Sequence, residues 1–221
     1  MTTELLAPKE FSHKLLKWWK KNKRDYPWRN TSNPYNILIS EVLLHRTKAD
    51  QVVPVYTQLI QRFDSIDKLA NVSESELKNL LYPLGLHWRT KLFHKMVNEI
   101  VRNYNCNIPS ETEELESLSG IDHYIASAVR CFAFDHPETL LDTNIVRILG
   151  RVFGVKVTDG SRRNKQFREL FRTIASEEKS REFAYAMIDL GALLCVHGDP
   201  ICHLCPVSEM CILGISRVSK K

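Results

Sequence analysis

The apolar residues of this 221-residue chain recur at the helical period along most of its length. Phe11, Leu15, Leu16, Trp18 and Trp19 form one such stripe, and Ile37, Leu38, Val42 and Leu44 a second. Val52, Val55, Tyr56, Leu59, Ile60 and Phe63 form a third. Amphipathic stretches continue through Glu74 to Leu81, Arg89 to Tyr104, Ile125 to Phe134, Thr143 to Phe153, Phe167 to Ala175 and Phe183 to Leu194. Pro54 is placed to open the third helix, and Asn33-Pro34 marks a boundary before the second. Ser73 followed by Glu76 spells a capping box, and Asp142 stands at the start of the periodic run Ile145, Val146, Ile148, Leu149. No alternating run is long enough for a strand, so the expected fold is all-α. Short turns with Gly or Pro separate the helices and no long linker appears. A second domain must therefore be assembled from the two chain ends.

Charge adds a partner class. The formal net charge is +5, a mild excess that suits a polyanion. Six of the eleven residues from Lys14 to Arg24 are basic; Arg162, Arg163, Lys165 and Arg168 form a second group, and Arg217, Lys220 and Lys221 a third. Each run reads either as a solvated helix face or as part of a polyanion surface. Charged residues interrupt every apolar stretch before the roughly 18 residues that a membrane span needs. No secretory signal follows Met1, so a cytoplasmic location is expected, where thiols stay reduced.

That location gives four cysteines their meaning. Cys195, Cys202, Cys205 and Cys211 have six, two and five residues between them. Thiolates packed so densely point to a metal centre wrapped by one loop. Zinc sites usually pair two CxxC-type motifs, whereas a single CxxC flanked by one cysteine on each side is closer to an iron–sulfur cubane. Cys106 and Cys131 stand apart and read as ordinary buried thiols.

The segment LESLSGIDHYIASAV, Leu115 to Val129, predicts a helix, a tight turn at Gly120 and a second helix. Such a turn can aim backbone N–H groups at a phosphate, or can simply connect two helices. The hairpin, then LLDTNIVRILGRVFG, then the four cysteines together resemble the helix-hairpin-helix DNA glycosylases of the endonuclease III superfamily, from about Trp19 to Cys211. RDYPWRNTSNPYNILISEVLLHRT resembles the first active-site segment of the mismatch-glycosylase branch, which acts on adenine or on thymine opposite guanine. The resemblance implies two helical domains with the active-site cleft between them. One is a six-helix barrel over residues 28–137 with the hairpin at 115–129. The other, residues 1–27 plus 138–221, carries a [4Fe-4S] cluster on Cys195, Cys202, Cys205 and Cys211.

The same resemblance assigns roles. Asp142 matches the acidic residue used at the sugar, where a fixed carboxylate stabilises positive charge growing on C1′ and O4′; a plain N-cap is the alternative. Tyr124 stands where bifunctional members place a Schiff-base lysine, and a phenol cannot form that imine; the alternative is a core aromatic. Glu41 matches the pocket glutamate that protonates or hydrogen-bonds the extruded base, against a solvated helix glutamate. His45-Arg46 replaces the glutamine pair of adenine glycosylases, and Arg46 is suited to fill the vacated stack and read the orphan guanine; a surface arginine on a basic face is the alternative. With Gly120, Ile121, Asp122 and Arg147, these two complete the expected DNA-binding set. The hairpin departs from the family pattern, since Ser119 replaces Pro and Asp122 replaces the second Gly. A carboxylate there opposes phosphate, which predicts weaker anchoring or compensation by the basic groups. Ten residues follow Cys211, so the further domain typical of adenine glycosylases is not expected. The expected function is monofunctional excision of thymine, and of uracil, mispaired with guanine in double-stranded DNA, by a monomer. An adenine glycosylase, a non-catalytic redox-sensing DNA-binding protein and a bifunctional lyase are the alternatives.

Overall fold

A computed structural model of the protein describes residues 8–85, 89–175 and 179–218; Lys220 and Lys221 of the third basic group lie outside them. The described residues form helices and turns and no strand. The chain divides into two compact units, Asp25–Phe134 on one hand and Met1–Arg24 with Asp135–Lys221 on the other.

The unit 25–134 is built on α2, Pro34–Leu44. Asn33 caps it, its Oδ1 accepting the Tyr35 and Asn36 N–H groups at 2.9 and 3.3 Å, and Pro34 supplies the first turn. Every residue from Ile37 to Leu43 is buried, as expected of a helix that is apolar all round. It packs against α3, Ala49–Arg62, and α8, His123–Phe134. Two short helices, α4 (Ile66–Ala70) and α5 (Glu74–Leu81), lean on α6, Thr90–Tyr104, while α7, Thr112–Ser117, packs on α8. Tyr26 stacks on Trp28 with ring centroids 5.0 Å apart and donates to Asp50 Oδ1 at 2.9 Å. These contacts fasten the segment before α2 to α3.

Three local expectations change. Pro54 lies inside α3 instead of opening it. The helix begins at Ala49 because the Lys48 carbonyl already accepts Gln51 and Val52, and exposed Pro54 deprives only one carbonyl near the helix start of a partner. At α5, Ser73 Oγ accepts the Glu76 N–H at 3.2 Å, but the Glu76 carboxylate pairs with Arg62. Cys131 is buried as expected, whereas Cys106 is exposed, because the chain turns there through two left-handed residues, Asn105 and Cys106.

In the other unit, α1 (Pro8–Asn22) packs on α10 (Lys165–Ile174) and α11 (Ser180–Leu193), and α9 (Thr143–Phe153) packs on α10, α11 and α12 (Ile212–Val218). The two ends of the chain are joined by a fully buried carboxylate. Asp189 accepts from Trp19 Nε1 at 2.8 Å, from the Arg24 N–H at 3.2 Å and from Arg24 Nε at 2.6 Å. The first basic run is therefore not one uniform face. Arg24 is spent on Asp189, and Lys14 lies 3.2 Å from both Glu10 and Glu209, while Lys17, Lys20, Lys21 and Lys23 are exposed.

Candidate active site and cysteine loop

In the first unit the site residues lie at the ends of α2 and α8. Glu41 is buried in α2 with 6% of its surface exposed, so it is not a solvated helix glutamate. His45 and Arg46 follow in a turn closed by Thr47 N–H to Leu44 O at 3.1 Å. His45 at φ −63°, ψ 108° and Arg46 at φ 66° make this a type II turn. Its third position ordinarily holds glycine. Arg46 is exposed there and His45 is half-buried.

The hairpin joins α7 to α8. Gly120 has φ +84°, and a Cβ there would come within 3.2 Å of Leu92 Cβ, so the position needs glycine on both counts. Ile121 is buried and supports the turn from below. The two departures from the family pattern each find a local partner. Ser119, standing where a proline would have no N–H, donates its N–H to Glu99 Oε2 at 2.7 Å and its hydroxyl to Oε1 at 2.9 Å. Asp122 caps α8, Oδ1 accepting the Ile125 N–H at 2.9 Å, and its Oδ2 lies 3.8 Å from His45 Nε2. Both substitutions thus have counterparts within 25–134. Half-buried Tyr124 occupies the second position of α8 and is not a fully buried core aromatic.

In the second unit Asp142 caps α9. Its Oδ1 accepts the Ile145 N–H at 2.7 Å and its Oδ2 accepts Asn144 Nδ2 at 3.1 Å. Burial raises its carboxyl above the ordinary range, opposed by those two hydrogen bonds and by the charge of Arg147. Asn144 in turn accepts Arg147 Nη2 at 2.8 Å, which fixes its amide orientation. Arg147 also donates to Gly191 O and Cys195 O, both at 2.8 Å. Expected on the DNA side, Arg147 directs these bonds into the protein and ties α9 to α11 and the cysteine loop. Close packing here leaves no room at Gly191, where a Cβ would fall 2.6 Å from Asn144 Cβ. Gly191→Ala is expected to destabilise the protein by about 1–3 kcal/mol through overpacking, read as a lower midpoint in urea unfolding; an unchanged midpoint would contradict this.

Cys195, Cys202, Cys205 and Cys211 line one pocket together with Arg151, Leu194, Pro200, Ile201 and Leu213. All four are free thiols. Among the described residues no three of His, Cys, Asp or Glu are gathered tightly enough to hold a single ion. Burial pushes the Cys205 thiol up to about 12 and raises Cys202 and Cys211 as well, so their thiolates need a cationic group to form. Arg151 donates to Cys195 Sγ at 3.3 Å and to the Val196 carbonyl at 2.8 Å, and the Gly214 N–H donates to Cys211 Sγ at 3.3 Å. Sulfur as acceptor for N–H groups suits a ligand thiolate. Sequence reasoning missed Asn144, Arg151 and Glu99. Arg151 and Arg147 share one face of α9, four residues apart, which was the available signal for Arg151.

Residues 39–173 match the sequence profile of the HhH-GPD superfamily base excision DNA repair proteins. The chain is 35% identical, over 94% of its length and 93% of the other's, to a thymine/uracil-DNA glycosylase of Pyrobaculum aerophilum. To an adenine DNA glycosylase of Buchnera aphidicola it is 31% identical over 91% of its length, covering 57% of that protein. Its fold superposes on a thermostable thymine-DNA glycosylase with a TM-score of 0.85 at 29% identity, over 95% of this chain and 97% of that one. The chain belongs to the HhH-GPD superfamily of base excision DNA repair proteins.

Proposed function

We propose that the protein is a monofunctional, mismatch-specific DNA glycosylase that hydrolyses the N-glycosidic bond of thymine, and of uracil, opposite guanine. The observation that carries the choice of base is the likeness to a thymine/uracil-DNA glycosylase over nearly the full length of both chains. His45-Arg46 in place of two glutamines supports the same choice. The mispaired base costs less to extrude than a paired one. Glu41 then meets the base edge, and Arg46 occupies the vacated stack and reads the orphan guanine through its edge acceptors. As the glycosidic bond lengthens, Asp142 stabilises the positive charge on the sugar and orients the attacking water. Tyr124 offers no amine and neither do its neighbours His123 and Ile125, so the product is an intact abasic strand without β-elimination. The hairpin at Gly120 grips backbone phosphate, and the enzyme acts as a monomer on chromosomal DNA in the cytoplasm.

The cysteine loop fits a [4Fe-4S] cluster. Four free thiols lining one pocket suit a group whose ligands sit at separate corners. Its contribution is structural, fastening the loop after α11. Iron and sulfide near four each per chain are expected in purified protein; an active zinc form would contradict the assignment.

The raised carboxyl of Asp142 sets a pH dependence. Its folded value lies above the unfolded one. The carboxylate that the reaction needs is therefore lost as pH falls through a value higher than the roughly 3.9 of an ordinary Asp. The same sign means that ionising Asp142 costs folding stability as pH rises through that value. The acid limb of kcat/KM is expected above the ordinary Asp range in the wild type. A limb at or below that range would contradict it.

Duplexes carrying G·T, G·U, G·A and 8-oxoguanine·A distinguish the readings. Rapid excision from G·T and G·U with inert adenine is expected. Adenine release with inert G·T would replace this reading by an adenine glycosylase, and a borohydride-trapped covalent adduct would contradict the argument from Tyr124.

A further inference from the structure

Arg46 holds a conformation that its residue type disfavours. At φ 66° in the third position of a type II turn, a non-glycine side chain costs on the order of 1 kcal/mol. A type I turn over the same four residues would let Arg46 relax to the right-handed region. The two forms differ by a flip of the central peptide, whose oxygen is that of His45. Arg89 grips this group. Its Nη1 lies 3.5 Å from His45 O and its Nη2 contacts His45 Nδ1.

The contact also sets the histidine. A guanidinium has only donors, so Nδ1 must be the bare nitrogen and the proton sits on Nε2. Nε2–H then faces Asp122 Oδ2 at 3.8 Å. Asp122 caps α8 through its other oxygen. Arg89, at the entrance to α6, has only 9% of its surface exposed, so its guanidinium is held in place by packing. One buried cation therefore connects the Arg46 turn to the hairpin carboxylate that departs from the family pattern.

We propose that Arg89 is a positioning residue for opposite-base recognition. It holds the Leu44–Thr47 turn in its type II form through both acceptors of His45, so that Arg46 projects to the orphan base in register with the hairpin. This rests on the reading of Arg46 as the guanine reader. Asp122 acquires a use as well: its charge at the hairpin faces the imidazole that Arg89 orients.

A double-mutant cycle tests the proposal. The readout is the ratio of kcat/KM for uracil opposite guanine to that for uracil opposite adenine. Arg89→Met is expected to lower this ratio by about tenfold, the loss of a charge-assisted hydrogen bond. In an Arg46→Ala background the same change is expected to have no further effect. Arg89→Lys, which keeps a charged donor, is expected to recover part of the ratio, which a general loss of folded protein would not allow. Equal losses in both backgrounds, or no loss in the wild-type background, would overturn the proposal. If Arg46→Ala alone leaves the ratio unchanged, Arg46 does not read the orphan base and the positioning role of Arg89 falls with it, whereas a loss in Arg46→Ala without one in Arg89→Met overturns the role of Arg89 alone.

Discussion

Asp142→Asn is expected to slow excision from a G·T duplex by about 10²- to 10³-fold while the variant binds the duplex as tightly as the wild type. The magnitude is that of losing one preorganised electrostatic group from a site where charge develops, about 3–4 kcal/mol. Asparagine keeps an oxygen for the Ile145 N–H, which Asp142 holds at 2.7 Å, and it is as good an N-cap as aspartate. Its amide brings a donor towards Asn144 Nδ2, an unfavourable pairing. Against that, removing a charge whose ionisation burial opposes relieves desolvation. Stability should therefore stay within about 1 kcal/mol of the wild type. Asp142→Ala separates the two roles, because it also removes the cap and should cost a further 0.5–2 kcal/mol, roughly, in unfolding free energy. Single-turnover excision beside urea unfolding measures both. An Asn variant with near wild-type excision would leave Asp142 as a helix cap and nothing more.

The largest stability effect is expected at a different carboxylate, that of Asp189. Asp189 has no exposed surface and accepts hydrogen bonds from Trp19 Nε1, the Arg24 N–H and Arg24 Nε. It is the carboxylate on which the N-terminal segment closes against α11. Breaking a buried pair by deleting one partner costs about 3–5 kcal/mol, because the remaining donors lose their acceptor and the cation its counter-charge. Asp189→Ala should therefore lower the urea midpoint sharply with an unchanged m-value. Arg24 keeps some access to water, its side chain being 25% exposed, so the lower part of that range is expected. A loss under about 1 kcal/mol would mean that the pair contributes no more than a surface contact.

Periodicity was a sound guide where one face of a helix carries the apolar residues. Thr143 to Phe153 is read from Ile145, Val146, Ile148, Leu149 and Val152, and the observed helix has those same ends. The boundary at Asn33-Pro34 and the Ser73 half of the capping box were also readable, since each depends only on neighbours within three residues. Contacts between distant residues were not readable. Nothing in the sequence pairs Arg24 with Asp189, 165 positions away. The same limit hid Glu99 from Ser119, which gains a two-point contact where the family pattern has proline. Arg147 shows the opposite error. A basic residue beside a suspected catalytic aspartate suggests DNA, but helical spacing alone does not say that its guanidinium points at the Gly191 and Cys195 carbonyls. Proline favours the first turn, so the sequence places Pro54 at a helix start; its exposure on α3 lets it sit one turn further in.

The measurement that bears most directly on the function is identification of the products from a G·T duplex by chromatography and mass spectrometry. Free thymine is expected together with an abasic strand that stays intact until alkali is added. Release of adenine from a G·A duplex in preference to thymine, or strand cleavage without alkali, would contradict it.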